Sequence, residues 1–372
     1  MERLSDKFNL KNIIISALLI IAFSPVLVSC GDEVSPEPIL KLIEYDGVIY
    51  KIITDDKSVK NHLKVLRRSD EKPTDIVIPA SFNYEGVEYY VKEIIEDAFD
   101  YSDIETVIIK APITRLPERV FYSCQNLREV ELPESLESIG TNAFSECKSL
   151  EKINLPDNVK SFNTYTFMFC TSLKEITLGR SVESVYFNVE AQLDNLENIF
   201  VSRDNNNFTS VDGVLYSKDM TELVKCPRTK DMFEIPSSVT EIGYGAFSLC
   251  KKWKGKIVIH DNIRIIGELA FAWCTDITEL ILGKNVEYIG GGSFAETDKM
   301  ERIYSYNPVP PELDVATVVN PKYETTFCWT FYWGRSPLYV PANSVEAYRN
   351  DLLWSRGFRN FETDESMIFP MD

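Results

Sequence analysis

The chain has 372 residues, 44% of them hydrophobic and 26% charged, and a net charge of −18. That apolar share is too high for a disordered chain, and so acidic a sequence without a basic domain argues against nucleic acid as the main partner, because phosphate binding needs clustered Lys and Arg. His62 and His260 are the only histidines, which excludes multi-histidine metal sites and leans the reading away from catalysis.

Residues 1–29 read as an export signal. Lys7 and Lys11 precede a mostly apolar run from Ile13 to Val28, interrupted by Pro25. Such a run is as long as a signal core and marginal for a membrane span of ~20 residues. It ends in Leu27-Val28-Ser29-Cys30, which resembles the bacterial lipobox. The resemblance implies cleavage before Cys30 and lipidation of its thiol; the alternative is an uncleaved anchor or an ordinary signal peptide. Gly31-Asp32-Glu33 is similar to the short acidic export signals of bacterial surface lipoproteins, which implies an outer-membrane protein facing outward. Residues 30–38 then read as a tether stiffened by Pro36 and Pro38. Residues 39–90 read as a β-rich cap, with Gly47–Ile53 and Val87–Val91 strand-like and Tyr84-Glu85-Gly86 turning between runs.

Self-comparison gives the strongest signal. A small residue followed by Phe recurs at Phe99, Phe121, Phe144 and Phe167, then at Phe247, Phe271 and Phe294, at spacings of 22 to 24 residues. Leu127, Leu150, Leu173 and Leu196 keep step, as do Val130, Ile153, Ile176 and Ile199. Stretches such as Glu129–Leu132 and Lys152–Leu155 alternate polar and apolar residues, the pattern of a strand with one buried face. The slots around Ile139, Ala143 and Phe144 suit a tight turn and a short helical segment. One such unit cannot bury its own apolar side, so neighbours must stack into a solenoid of about eight repeats over residues 91–305, mostly β with short helical or turn segments.

The unit, as in Leu136-x-x-Ile139-Gly140-x-x-Ala143-Phe144-x-x-Cys147-x-x-Leu150-x-x-Ile153-x-Leu155-Pro156, resembles the BspA-like (Treponema pallidum-type) leucine-rich repeat family. The resemblance implies a leucine-rich-repeat solenoid fold and a surface protein engaged in adhesion. Residues 203–232 resemble a hairpin insert common in that family, and residues 306–372 its C-terminal cap, with a short helix near 344–350.

Cys124, Cys147, Cys170, Cys250 and Cys274 each stand three residues after the repeat Phe. They read as a buried slot of free thiols; the alternative is a ladder of disulfides. Cys226 and Cys328 lie outside the slot. No G-x-S-x-G elbow, H-E-x-x-H or phosphate loop occurs. Asp204–Asn207 invites comparison with a calcium loop, yet Phe208 and Thr209 fall where an EF-hand needs a ligand and a glycine. No catalytic residue, metal or cofactor is expected.

The residues left for function are exposed positions on a regular platform. In register, the outward strand positions include Phe200, then Lys256, Val258 and His260, then Glu279 and Ile281, then Arg302, Tyr304 and Tyr306. Phe200, Tyr304 and Tyr306 offer rigid contact area, or else pack under the insert and the C-terminal cap. Phe327 to Trp333, with Trp329 and Trp333 on one face, either seals the last repeat or forms a platform. Lys252, Lys254 and Lys256 make a local basic patch, either a solvated turn or a contact for an anionic ligand. The expectation is a lipid-anchored, non-catalytic surface protein binding extracellular proteins of a host or neighbouring cell. The alternatives are glycan capture and a passive spacer.

Overall fold

A computed structural model describes residues 42–53, 61–69, 72–163, 165–187, 191–314, 336–360, 363 and 365–371. Cys30, Cys328, Trp329 and Trp333 lie outside these. From Leu40 onward the chain is one unit, a β-solenoid of about nine turns.

At the N-terminal side a five-stranded sheet is built from Leu42–Tyr45, Val48–Ile52, His62–Arg68, Ser81–Tyr84 and Val87–Ile94. Two of its hairpins turn at Asp46-Gly47 and Glu85-Gly86, where all four residues have positive φ. Glycine at the second position relieves half of that strain, which is why this dipeptide pattern makes a two-residue hairpin. The strand Asp75–Ile78, inside the stretch read from sequence as cap, pairs in parallel with Thr106–Ile109 and so forms the first rung of the solenoid.

The rungs follow the 23-residue step. Thr106–Ile109 pairs with Glu129–Glu131, Lys152–Asn154 with Glu175–Leu178, and that strand with Asn198–Val201, all in parallel. After the insert the series continues through Gly255–Ile259, Ile277–Leu282, Arg302–Ser305, Leu338–Val340 and Ile368–Pro370. Two-residue strands such as Arg115–Leu116 and Ser138–Ile139 pair on a second side.

The slot around the repeat Phe is a turn rather than a helix. Residues two before and two after the repeat Phe take positive φ in six of the seven repeats, as at Asn142 and Glu146 around Phe144, and at Leu269 and Trp273 around Phe271. Two left-handed residues four positions apart bend the chain too tightly for helical hydrogen bonds to propagate. The regular helices, Val345–Asn350 and Leu352–Gly357, lie in the C-terminal cap.

Inside, the phenylalanines stack turn on turn. Ring centroids are 5.5 Å apart for Phe99–Phe121 and Phe121–Phe144, 4.8 Å for Phe247–Phe271 and 5.3 Å for Phe271–Phe294, with planes within 19° of parallel. Corners stack as closely. A Cβ on Gly140 would stand 2.5 Å from the Glu118 nitrogen and 2.6 Å from the Pro117 carbonyl carbon. Backbone cannot move aside for it, so Gly140→Ala should cost about 1–3 kcal/mol, measured by urea unfolding; a cost within error of zero would show that the corner opens freely.

The insert is a hairpin, Phe208–Val211 with Val214–Ser217, turning at Asp212-Gly213. Its next strand, Glu222–Lys225, is antiparallel to the hairpin and parallel to Glu241–Ile242, so the insert itself restarts the solenoid's second side. The hydrophobic core divides here. One cluster runs from Ile43 to Ile199 and ends on Leu215; the other begins at Val214 and Tyr216 and reaches Ile368.

Candidate functional site

Strand alternation sends every second side chain of a rung to the core and the others outward. In the second half the inward row Ile257, Leu280, Ile303, Leu338 and Ile368 is fully buried. The adjacent outward row, paired position for position across the same five strands, is Val258, Ile281, Tyr304, Tyr339 and Phe369. Every member is apolar or aromatic although it faces away from the core. Val258 is 53% exposed and Phe369 39%, with the other three half-buried. In the first half the matching positions read Val77, Ile108, Glu131, Asn154, Thr177 and Phe200, apolar at both ends and polar in the middle. Five strands about 4.8 Å apart make the row ~19 Å long.

The aromatic members lean on each other. Tyr304 stacks on Tyr339 at 5.0 Å and 19°, and Tyr339 meets Phe369 at 6.0 Å and 37°. Tyr339 therefore has one face stacked on Tyr304 and a tilted contact with Phe369 on the next strand. A charged row flanks the apolar one, with Lys256 3.4 Å and Arg302 4.0 Å from Glu279.

At the Val258 end the segment 232–237 stands beside the sheet and leaves a groove of about 1190 Å³, lined by Met232, Pro236, Val258, Ile281, His260 and Tyr306 among others. That exceeds the ~300–1,000 Å³ usual for small ligands. Two enclosed donors in its wall lack partners, Trp253 Nε1 and His260 Nε2. His260 Nδ1 accepts from the Asn262 N–H at 3.2 Å, which puts the proton of the neutral ring on Nε2. Trp253 itself is core, 2% exposed against Phe247 and Phe233, as its place in the repeat requires.

A model of the BspA-type leucine-rich repeat region matches residues 92–214 and 225–309, in six copies. The chain belongs to the BspA-type leucine-rich repeat family. No curated protein matches it. Among solved structures it is similar to the pneumococcal vaccine antigen PcpA, at 19% identity and a TM-score of 0.56, over 89% of this chain and 99% of that one. A leucine-rich repeat protein from Eubacterium ventriosum gives 20% identity and 0.48 over 80% and 78%, and the T. pallidum leucine-rich repeat protein 18% and 0.38 over 70% and 91%. The likeness to PcpA shows the fold. BspA-type repeat proteins are bacterial interaction scaffolds, typically at the surface or secreted. Among the described residues no helix is long and apolar enough to cross a membrane.

In this BspA-type chain the residues singled out from sequence are partly gathered. Tyr304, Tyr306 and Lys256 come together on one sheet face with the groove. Tyr304 stacks on the C-terminal cap, while Tyr306 stays 51% exposed. Phe200 belongs to the other half; at 42% exposed it is not covered by the insert. Lys252 pairs with Asp231 at 3.2 Å, and Lys254 is exposed. Tyr339 and Phe369 were not legible as site residues, because the cap leaves the 23-residue step.

The cysteine slot does structural work. Cys124, Cys147, Cys170 and Cys274 are fully buried, and each thiol donates to the carbonyl of a repeat Phe in the core (Phe99, Phe121, Phe144 and Phe247) at 3.0–3.2 Å. Burial pushes the Cys124 thiol up to about 11 and the Cys170 thiol to about 12, far from the depressed values of reactive thiols. Lys225 is buried with no carboxylate partner among the described residues; its ammonium donates to Gly245 O at 2.6 Å and Ser248 Oγ at 3.3 Å, and burial pulls it down to about 8. In the 204–207 stretch Asn205 is a hub, donating to Gly179 O and Val182 O and accepting from the Asn207 and Phe208 N–H groups. Its amide is spent on backbone, which explains the residue without calcium. Among the described residues no cluster of three or more metal-ligating side chains occurs.

Proposed function

We propose that this protein is a lipid-anchored bacterial surface adhesin that binds extracellular proteins of a host or neighbouring cell through the outward face of its second half, without catalysis. The observation that carries the reading is the row Val258–Ile281–Tyr304–Tyr339–Phe369. A folded monomer has no internal use for a continuous apolar line on a solvent-facing sheet, and such patches mark interaction surfaces. Protein fits it better than glycan. Sugars stack on open ring faces, whereas Tyr304 and Tyr339 each spend a face on the other.

A binding screen of the purified chain against matrix and plasma proteins, with a glycan array beside it, tests this. Saturable protein binding that weakens at least tenfold in Ile281→Lys is expected. Glycan binding alone, or protein binding indifferent to Ile281→Lys, would overturn it. The anchor is tested separately: labelled palmitate should enter the wild-type chain in a bacterial host and fail to enter Cys30→Ala. Equal labelling of both would end the lipoprotein assignment.

A further inference from the structure

Resting on that reading, we infer that the partner enters as an extended peptide segment, which adds a strand to the free edge of Gly255–Ile259 in the groove beside it. That strand ends its sheet: it pairs with Ile277–Leu282 on one side and with no strand on the other. The preceding rung should lie there, but residues 231–237 form no strand. They are tied to their neighbour at two points, Asp231 to Lys252 at 3.2 Å and Ser237 O to the Asn262 amide at 2.7 Å. Between these ties six steps of chain run against ten, so the segment cannot hold ladder register with the strand beside it. The groove touches Ile257 and Ile259 from the inward face as well as Val258 and His260 from the outward one, which places it along the strand's edge. The first half has a ladder break too, between Glu129–Glu131 and Lys152–Asn154, but there both flanking segments are strands in contact.

What the edge offers decides the occupant. On this side of the solenoid an outward residue bonds through its N–H to the preceding rung, as Ser202 does to Leu178 O at 2.9 Å and Tyr306 to Leu282 O at 3.0 Å. By the same alternation Lys256 and Val258 turn their N–H and C=O groups to the groove, where no ladder partner among the described residues meets them. An exposed row of this kind is a template for another chain, and main-chain pairing at a sheet edge is a recurring way to hold a peptide. The enclosed donors Trp253 Nε1 and His260 Nε2, in the same wall, also lack acceptors. Carbonyl oxygens, which an extended main chain carries along both edges, are acceptors of the kind required. A helix is a poor occupant because its main-chain groups are spent internally. Charge selects nothing here, since Glu234 is exposed in the wall and Lys256 is paired with Glu279 at 3.4 Å. Recognition therefore runs through the main chain, with apolar residues at alternate positions against Val258 and Ile281.

The test uses the full chain and a labelled peptide of about nine residues, alternating valine and threonine between terminal lysines, in fluorescence anisotropy. Two further peptides carry N-methyl groups, one on the valine amides and the other on the threonine amides, with charge unchanged. The parent should bind saturably, and the two methylated peptides should differ at least tenfold, because a strand offers alternate N–H groups to each edge. Saturating parent peptide should slow amide hydrogen exchange at Lys256 and Val258 at least tenfold. Val258→Pro, which removes an N–H at an edge position, should weaken binding at least tenfold with the thermal midpoint kept; if that variant fails to fold, the methylated pair decides. Equal affinity of the two methylated peptides, or unchanged exchange at both amides, overturns the strand proposal. If no peptide binds while a protein from the screen does and is lost in Ile281→Lys, the strand falls and the protein-binding reading stands. Absence of both kinds of binding would sink both.

Discussion

Alkali should unfold this protein through its buried acids, most of its slot thiols together with Tyr216 and Tyr348, whose hydroxyls burial also pushes up. An acidic group whose folded pKa lies above its unfolded value contributes stability that is complete below the unfolded pKa and lost as pH rises toward the folded one. Cys124 moves from 9.0 to about 11 and Cys170 from 9.0 to about 12. At about 1.4 kcal/mol per unit, the two together remove about 7 kcal/mol between pH 9 and 12. Cys147 and Cys274, also raised by burial, act in the same direction. Lys225 opposes them: its folded value of about 8 lies below its ordinary 10.5, so between those values the unfolded chain holds the extra proton and stability rises. That gain is about 3 kcal/mol and is complete by pH 10.5, so the thiols win above it. Since whole domains hold only about 5–15 kcal/mol, unfolding is expected before pH 12. Urea titrations in reductant from pH 8 to 11.5 should show a midpoint that rises at first, while Lys225 gains, and falls above pH 10.5, with a shallower fall in Cys170→Ala. A flat profile would mean that these thiols are not enclosed as the structure has them.

Phe144→Ala should cost about 3–5 kcal/mol. The ring is fully buried, stacked between Phe121 at 5.5 Å and Phe167 at 5.8 Å, and the Cys170 thiol donates to its carbonyl. Neighbouring rungs are fixed on both sides, so the cavity cannot collapse by moving one element. Tyr165, two residues away and 47% exposed, is the control; its alanine variant should stay within about 0.5 kcal/mol of wild type. Equal unfolding midpoints for the two variants would deny that Phe144 is a core rung.

The solenoid was legible because its packing unit is local and repeated. Phe, Leu and Ile slots at constant spacing reveal which side chains meet without knowledge of the turn between them. The turn itself was half legible: Asn142 and Glu146 occupy left-handed positions that no apolar pattern reports. Val258, Ile281 and Tyr304 were placed on the outward face by spacing alone, and their apolar character there was visible one residue at a time. The row as a surface was not, since Tyr339 and Phe369 follow Tyr304 by 35 and 65 residues and join it only through the cap's strand pairing. The partnerless donors Trp253 Nε1 and His260 Nε2 depend on what fails to reach them, which no spacing encodes.

The division of the core at residues 214–216 has a mechanical meaning. In a linear array, a defect spreads from turn to neighbouring turn until it meets a weak junction. The hairpin, where one apolar cluster ends and the next begins, is expected to act as such a junction. Pulled from its free end, the chain should give way in two steps, with fraying of the C-terminal half arrested before it reaches the turns nearer the N-terminus. For the anchored adhesin proposed above, shear would then be absorbed in two steps instead of a single rupture.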